Sequence, residues 1–269
     1  MHVGVTLRNM GVQSSAATMA AGVKAAEAAG LESVWITDHI AIPPDDAEGS
    51  GGRYTDTLTT LAWLGGLTER IRLGSGVLIL PYRPALPTAK QIATVQELTG
   101  ERLLLGVGIG WMDAEFNALG IDRHRRGRDS DRVLEFLGQC FAQDEVELNG
   151  QPFLFKPRPK RPPIYIGGRA PHALIRALRY GDGWLPMVNS PEKLAQDLAR
   201  YERLAAEQHK ARGSVTVMTG LDLDDPGGAQ GVLDAYQELG VERVVCGMRY
   251  NTPDEYSTAL EKLHRLLNA

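Results

Sequence analysis

The sequence predicts an α/β fold, a single (β/α)8 TIM barrel spanning residues 1–269 as one domain, and three observations point to it. Eight times a short β-branched or glycine-rich apolar run is followed by a segment of helical period. Such strict alternation builds a parallel sheet with crossover helices, and eight units close it. The length of 269 residues also suits one barrel, for which about 250 is typical.

Strands are expected at 3–7, 33–38, 71–79, 102–108, 163–168, 183–188, 214–221 and 243–248. Helices are expected at 14–29, 55–68, 85–98, 129–143, 170–180, 190–208, 227–239 and 253–267. Leu194, Leu198, Tyr201 and Leu204 recur at three to four residues, as do Leu260, Leu263 and Leu267, which marks the buried stripe of a helix. Two helix starts are written out. Ser190 is a cap residue before Pro191 at the first helical position, and Thr252 with Glu255 has capping-box spacing. Gly30, Gly100, Gly181 and Gly240 each follow a helical stretch and precede a strand, the place of a left-handed residue that ends a helix. Two stretches interrupt the alternation. Residues 43–54 form a loop after the second strand. Residues 146–162 form a hairpin around Asn149 and Gly150, inserted before the fifth strand, then a proline-rich link.

Composition narrows the function classes. Hydrophobic residues make up 43% and charged ones 23%, ordinary for a globular enzyme. A net charge of −4 gives no electrostatic basis for binding nucleic acid or an anionic membrane. The basic cluster from Arg123 to Arg128 is flanked by Asp122, Asp129 and Asp131, so a solvated, salt-bridged loop is expected there. No apolar run reaches the ~20 residues of a membrane helix, and residues 1–7 read as a strand without a signal peptide's regions. Cys140 and Cys246 form no CxxC and suit buried, reduced thiols. A cytoplasmic location is expected.

Candidate chemistry gathers at strand ends. In a barrel the C-terminal strand ends carry the ligands. The second strand ends in Asp38 and His39, an orienting carboxylate beside a group that exchanges protons near neutral pH. Asp38 capping the following loop above a packed His39 is the competing account. The third strand carries Gly74 and Gly76, which fit a bulge or a close backbone approach. The fourth ends in Gly106, Gly108 and Gly110 before Trp111 and an acidic helix start, and strand tips without side chains leave room for a large flat ligand. The fifth ends in Gly167, Gly168 and Arg169 at a helix start, an anion site or else an ordinary turn with an exposed Arg. Other motifs fail. Position 111 is Trp, so the glycines do not make GxGxxG, and no GxxxxGK[ST], GxSxG or zinc-ligand spacing occurs; no metal is expected.

Together these segments resemble the bacterial luciferase-like family of flavin and deazaflavin (coenzyme F420) oxidoreductases. The resemblance is carried by Gly30 to His39, Arg70 to Val77, Gly106 to Trp111 with Glu115 and Phe116, Pro163 to Gly168, and Ala177 to Trp184. It implies a cofactor ring over the C-terminal strand ends, with Asp38 holding the deazaflavin and His39 near the reacting carbon. It further implies a third-strand bulge of Ser75, Gly76 and Val77 behind the ring, with a non-proline cis peptide at Gly76–Val77. Gly108, Gly110 and Trp111 would flank the ring, and Gly167, Gly168 and Arg169 would take the phosphate. A homodimer is implied as well. The chain departs from the family's sugar-phosphate dehydrogenases at Ile42–Pro43, where they carry an aromatic, and at Trp111, where they carry Glu; this argues against that substrate.

The first expectation is hydride exchange between reduced F420 and a small organic substrate, with His39 as the catalytic proton carrier and residues 41–54 and 111–125 as a roof. The second keeps the fold and uses FMN and O2, with a separate reductase as partner. The third is a flavin-binding barrel without catalysis, against which stand the complete set of strands and the Asp38–His39 pair. Trp111, Met112, Phe116 and Met187 suggest a small hydrophobic or carbonyl substrate. Glu115, in the first turn of a helix, fits a structural role better than an acid/base one.

Overall fold

The protein is described by a computed structural model that covers residues 1–47, 49–187 and 190–268. Glu48 of the expected loop and Val188 at the end of the expected sixth strand lie outside the described residues. Eight parallel strands close a barrel: β1 (His2–Thr6), β2 (Ser33–Ile36), β3 (Arg72–Ile79), β4 (Leu103–Gly108), then β7 (Ile164–Gly168), β8 (Gly183–Pro186), β9 (Ser214–Thr219) and β10 (Arg243–Cys246), which pairs back with β1. The inserted hairpin is β5 (Glu145–Leu148) with β6 (Gln151–Leu154), turning at Asn149 and Gly150, both at positive φ.

The helices are α1 (Ala16–Ala28), α2 (Thr57–Gly66), α3 (Ala85–Leu98), α4 (Asp113–Ala118), α5 (Arg126–Ala142), α6 (His172–Tyr180), α7 (Pro191–Glu207), α8 (Pro226–Glu238) and α9 (Pro253–Leu267). The expected starts hold. Ser190 Oγ accepts from the Lys193 amide, and Thr252 Oγ1 from the Glu255 amide. Their buried stripes, Leu194, Leu198 and Tyr201 in α7 and Leu260 and Leu263 in α9, pack on the barrel; Leu204 is half-buried, and Leu266 takes the buried place expected for Leu267, which is exposed. Gly30, Gly100 and Gly240 have φ of +73°, +63° and +68°, as helix-ending glycines should.

Gly181 differs from the expectation. It closes α6 with φ −100°, not left-handed. A Cβ there would lie 2.9 Å from Ile166 Cγ1 and 3.2 Å from the Gly183 and Ile164 carbonyl oxygens, so the site demands a small residue for closeness, not for handedness. The basic cluster also differs: Arg123–Arg125 make a 3-10 turn and Arg126 begins α5, with Arg123 paired to Asp113 and Arg125 to Asp129, while Asp131 pairs with Arg176 of α6, so the cluster is not carried on a loop. Cys140 and Cys246 are free and buried, and burial pushes both thiols up to about 11.

The barrel interior explains most of the strand glycines. Trp35, Leu104, Tyr165, Leu185 and Val245 fill it. A Cβ at Gly74 would lie 2.2 Å from Trp35 Cδ2, so that strand gives up a side chain to admit an indole from its neighbour. The β3–β4 register shifts between Ser75 and Leu78, and the Gly76–Val77 peptide is cis, as the resemblance implies. In this bulge Val77 pushes its isopropyl group between β4 and β7. A Cβ at Gly108 would meet Val77 Cγ2 at 2.5 Å, and one at Gly167 would meet Val77 Cγ1 at 2.7 Å. The glycines at these strand tips are therefore required by the chain's own bulge.

Candidate functional site

The C-terminal strand ends enclose a cavity of about 250 Å³. The segment after β2 contributes Thr37, Asp38 and His39, and β3 contributes Gly76, Val77 and Ile79. The end of β4 supplies Gly108 to Trp111, and β7 supplies Gly167 and Gly168, with Met187 at the rim. A second cavity of about 660 Å³ shares Gly76, Val77 and Met187 with the first and adds Arg169, Lys193, Pro186 and Met218. Nine of the residues singled out from sequence thus share one cavity: Asp38, His39, Gly76, Val77, Gly108, Gly110, Trp111, Gly167 and Gly168. Arg169 lies on the adjoining one. Ser75 lines neither; it is fully buried and its hydroxyl donates to the Gly106 carbonyl at 2.8 Å, tying β3 to β4 across the bulge.

Asp38 borders the cavity, but its carboxylate is turned into protein. Arg83 donates to Oδ2 at 2.6 Å and Oδ1 at 2.8 Å, the Ile79 amide donates to Oδ2 at 2.8 Å, and Thr57 Oγ1 lies 2.9 Å from Oδ1. Arg83 also reaches Asp56. Burial works against the Arg83 charge, but the two carboxylates outweigh it and keep the guanidinium protonated. The network clips the β3 end to the β2 end, and backbone beside the cavity is what it holds in place.

His39 is the titratable ring on the cavity wall whose second nitrogen stays open. Its Nδ1 lies 2.7 Å from Glu115 Oε2, and Nε2 has no hydrogen-bond partner among the described residues. Glu115, in the first turn of α4, is fully buried. Its Oε1 accepts from the amides of Ile40 (2.6 Å) and Ala41 (3.0 Å), and Oε2 also accepts from the Tyr82 hydroxyl at 2.9 Å. Burial alone would raise the Glu115 carboxyl. The two amides, the His39 ring and the Tyr82 hydroxyl outweigh it and hold the group below the ordinary carboxylate value, so it stays ionised. Burial, then the Glu115 charge, pushes the Tyr82 hydroxyl far up, so it remains a donor. Tyr54 and Trp111 present aromatic edges to the His39 ring, with centroids 5.0 and 6.2 Å away.

Of the four apolar residues expected near the mouth, Trp111 and Met187 are exposed there. Met112 and Phe116 are buried, and Phe116 packs beneath with Ile79 and Tyr82. Tyr82, Arg83, Tyr54 and Lys193 were not anticipated. Tyr82 and Arg83 lie three and four residues past the end of β3, in the loop region where barrel enzymes put working residues, and that position was the available signal.

The chemistry of the walls fits a flat, largely uncharged ring with an anionic tail. The smaller cavity is walled by backbone, Val77, Ile79, Ile109 and Trp111, and its one carboxylate is neutralised by Arg83. The adjoining cavity carries two cations, Arg169 and Lys193. Together the two fall within the usual size range of small-molecule sites. No helix among the described residues is long and apolar enough to cross a membrane.

The sequence model described as luciferase-like monooxygenase matches residues 1–223. An uncharacterized protein of Mycobacterium tuberculosis is 33% identical over 244 residues, covering 84% of this chain and 83% of that protein. A 5,10-methylenetetrahydromethanopterin reductase of Archaeoglobus fulgidus is 33% identical over 177 residues, 63% of this chain and 49% of that protein. An FMNH2-dependent dimethylsulfone monooxygenase of Pseudomonas fluorescens is 30% identical over 151 residues, 53% of this chain and 41% of that protein. In fold, a monooxygenase of Streptomyces bottropensis superposes with a TM-score of 0.81 at 17% identity, covering 100% of this chain and 99% of that one. The match over most of its length places this chain in the luciferase-like monooxygenase family.

Proposed function

We propose that the barrel mouth binds coenzyme F420 and that the protein exchanges a hydride between this deazaflavin and a small organic substrate. The observation that carries the reading is the pair of neighbouring cavities: a backbone-walled slot beside His39, and a larger space with Arg169 and Lys193 that shares Gly76, Val77 and Met187 with it. The two cations of the larger space suit an anionic tail such as the lactyl-oligoglutamate. When bound, the deazaflavin supplies the two-electron hydride chemistry. The chain's own residues would divide the work: Val77 and the tips of β4 and β7 would hold the ring, Trp111 and Met187 would exclude water, and His39 would move one proton. In oxidation of an alcohol, for which the deazaflavin would be the hydride acceptor, His39 Nε2 would take the hydroxyl proton; in carbonyl reduction it would give that proton back to the oxygen.

A second reading, an FMN-dependent monooxygenase served by a separate reductase, is favoured by the Pseudomonas relative. Fluorescence titration separates the two. F420 binding at least tenfold tighter than FMN is the expected result, and the reverse order overturns the deazaflavin assignment. A homodimer in the cytoplasm acting on a small, uncharged compound completes the proposal, and light scattering checks the stoichiometry.

A further inference from the structure

We infer that Glu115 is the positioning residue of His39: by accepting a hydrogen bond at Oε2 it holds the imidazole proton on Nδ1 and so keeps the lone pair on Nε2, the nitrogen left for the cavity. Three observations carry this. Nδ1 and Oε2 are 2.7 Å apart, Glu115 is fully buried, and four donors converge on its two oxygens. An ionised carboxylate only accepts, so Nδ1 must be the donor in this contact. In a neutral ring the proton on Nδ1 leaves Nε2 as an acceptor, which is the state a proton-abstracting base needs. Oε2 is shared with the Tyr82 hydroxyl, which steers the carboxylate without competing for the ring proton. The catalytic consequence rests on the proposed proton transfer at His39; the tautomer does not.

A purely structural role for Glu115 makes a different prediction, because its Oε1 also satisfies the amides of Ile40 and Ala41. Glu115→Gln separates the two roles. The Gln carbonyl oxygen takes the Oε1 position, since two amides point at it. The Gln amide nitrogen then falls at the Oε2 position and donates to Nδ1, which drives the ring proton to Nε2. The loop stays capped while the tautomer inverts.

The experiment is a long-range 1H–15N NMR spectrum of the histidine rings in the cofactor-free protein, recorded at about pH 9, well above the ordinary imidazole pKa. The chain has 6 histidines, and His39→Ala assigns the signal by its loss. The expected result is an Nδ1-protonated His39 in the wild type and an Nε2-protonated His39 in Glu115→Gln. Turnover of Glu115→Gln with F420 should fall about 10²–10⁴-fold while the cofactor Kd stays within about twofold. Glu115→Asp, which keeps the acceptor, should recover part of that turnover. An Nε2-protonated His39 in the wild type overturns the assignment whether or not the Glu115 variants fold. An inverted tautomer with unchanged turnover keeps the positioning of the ring and instead overturns His39 as the proton carrier.

Discussion

Charged side chains are buried at both ends of this barrel, and the two ends treat them differently. At the N-terminal floor Arg243 is 1% exposed and saturated: Glu32 accepts from Nε and Nη2 at 2.8 Å each, and the Tyr165 hydroxyl accepts from Nη1 at 3.0 Å. Thr216 and Glu242 accept from the same nitrogen. At the C-terminal mouth Asp38 and Glu115 are as well satisfied, but the chain of contacts from Glu115 ends in a ring nitrogen with no hydrogen-bond partner among the described residues. A buried charge costs little only when all its hydrogen bonds are made. The floor meets that condition completely and joins β10, β9, β7 and the start of β2. At the mouth the Glu115 carboxylate meets it too, while the His39 ring it holds keeps one nitrogen unbonded among the described residues.

Ways to break this contrast run from large effects to small ones. His39→Ala should lower turnover about 10²–10⁴-fold with cofactor binding largely intact, read by steady-state kinetics beside a fluorescence titration. Arg243→Ala at the floor should leave the mouth's chemistry formally untouched yet destabilise the fold by about 2–4 kcal/mol, read by urea unfolding. That range sits under the usual figure for a broken buried pair because the Glu32 side chain keeps 18% of its exposure.

The floor also sets a pH dependence. Burial raises the Glu32 carboxyl, but the hydrogen bonds and charge of Arg243 outweigh it and hold the group below its ordinary value. A depressed carboxylate stabilises the fold above its unfolded pKa, about 4.3, and that contribution is lost as pH falls through the folded value. Unfolding free energy should therefore decline as pH drops below about 4.3, and Glu32→Gln should show a shallower decline.

Gly167→Ala sharpens the role of the bulge. The new Cβ would lie 2.7 Å from Val77 Cγ1 and 3.0 Å from the Val107 carbonyl oxygen, and overpacking of this kind costs about 1–3 kcal/mol. Adding Val77→Ala should recover part of the loss in the same thermal melt. Trp111→Ala should be the mildest. The ring is 63% exposed, so stability should shift by no more than about 0.5 kcal/mol. Cofactor affinity should weaken by about 0.5–1.5 kcal/mol if the indole covers the ring.

Much of the fold was legible because it follows from local periodicity and caps. Strand and helix periods repeat eight times, and Ser190, Thr252 and three of four helix-ending glycines act through neighbours only a few residues away. Gly181 shows the limit, since its constraint comes from Ile166, Ile164 and the Gly183 carbonyl across the β7–β8 edge. The site was legible as a set of strand ends. The glycines at 108 and 167 do stand at the mouth, but for a reason that sequence alone hides: they receive Val77 from the bulge of β3. Arg83 and Tyr82 escaped notice because an Arg and a Tyr after a strand look the same whether they face solvent or a buried carboxylate.

What the sequence by itself determined is the number of barrel strands and the order and polarity of the elements around them, and with these which residues stand at the C-terminal strand ends. Those properties are written in short-range spacing. What the tertiary structure alone decided is the division of labour among these residues: that Asp38 is locked to Arg83, that Ser75 serves the barrel wall, and that Glu115 reaches across 76 positions to take hold of His39. Hydrogen bonding of a buried carboxylate depends on which donors closure brings within about 3 Å, and no local pattern encodes that distance.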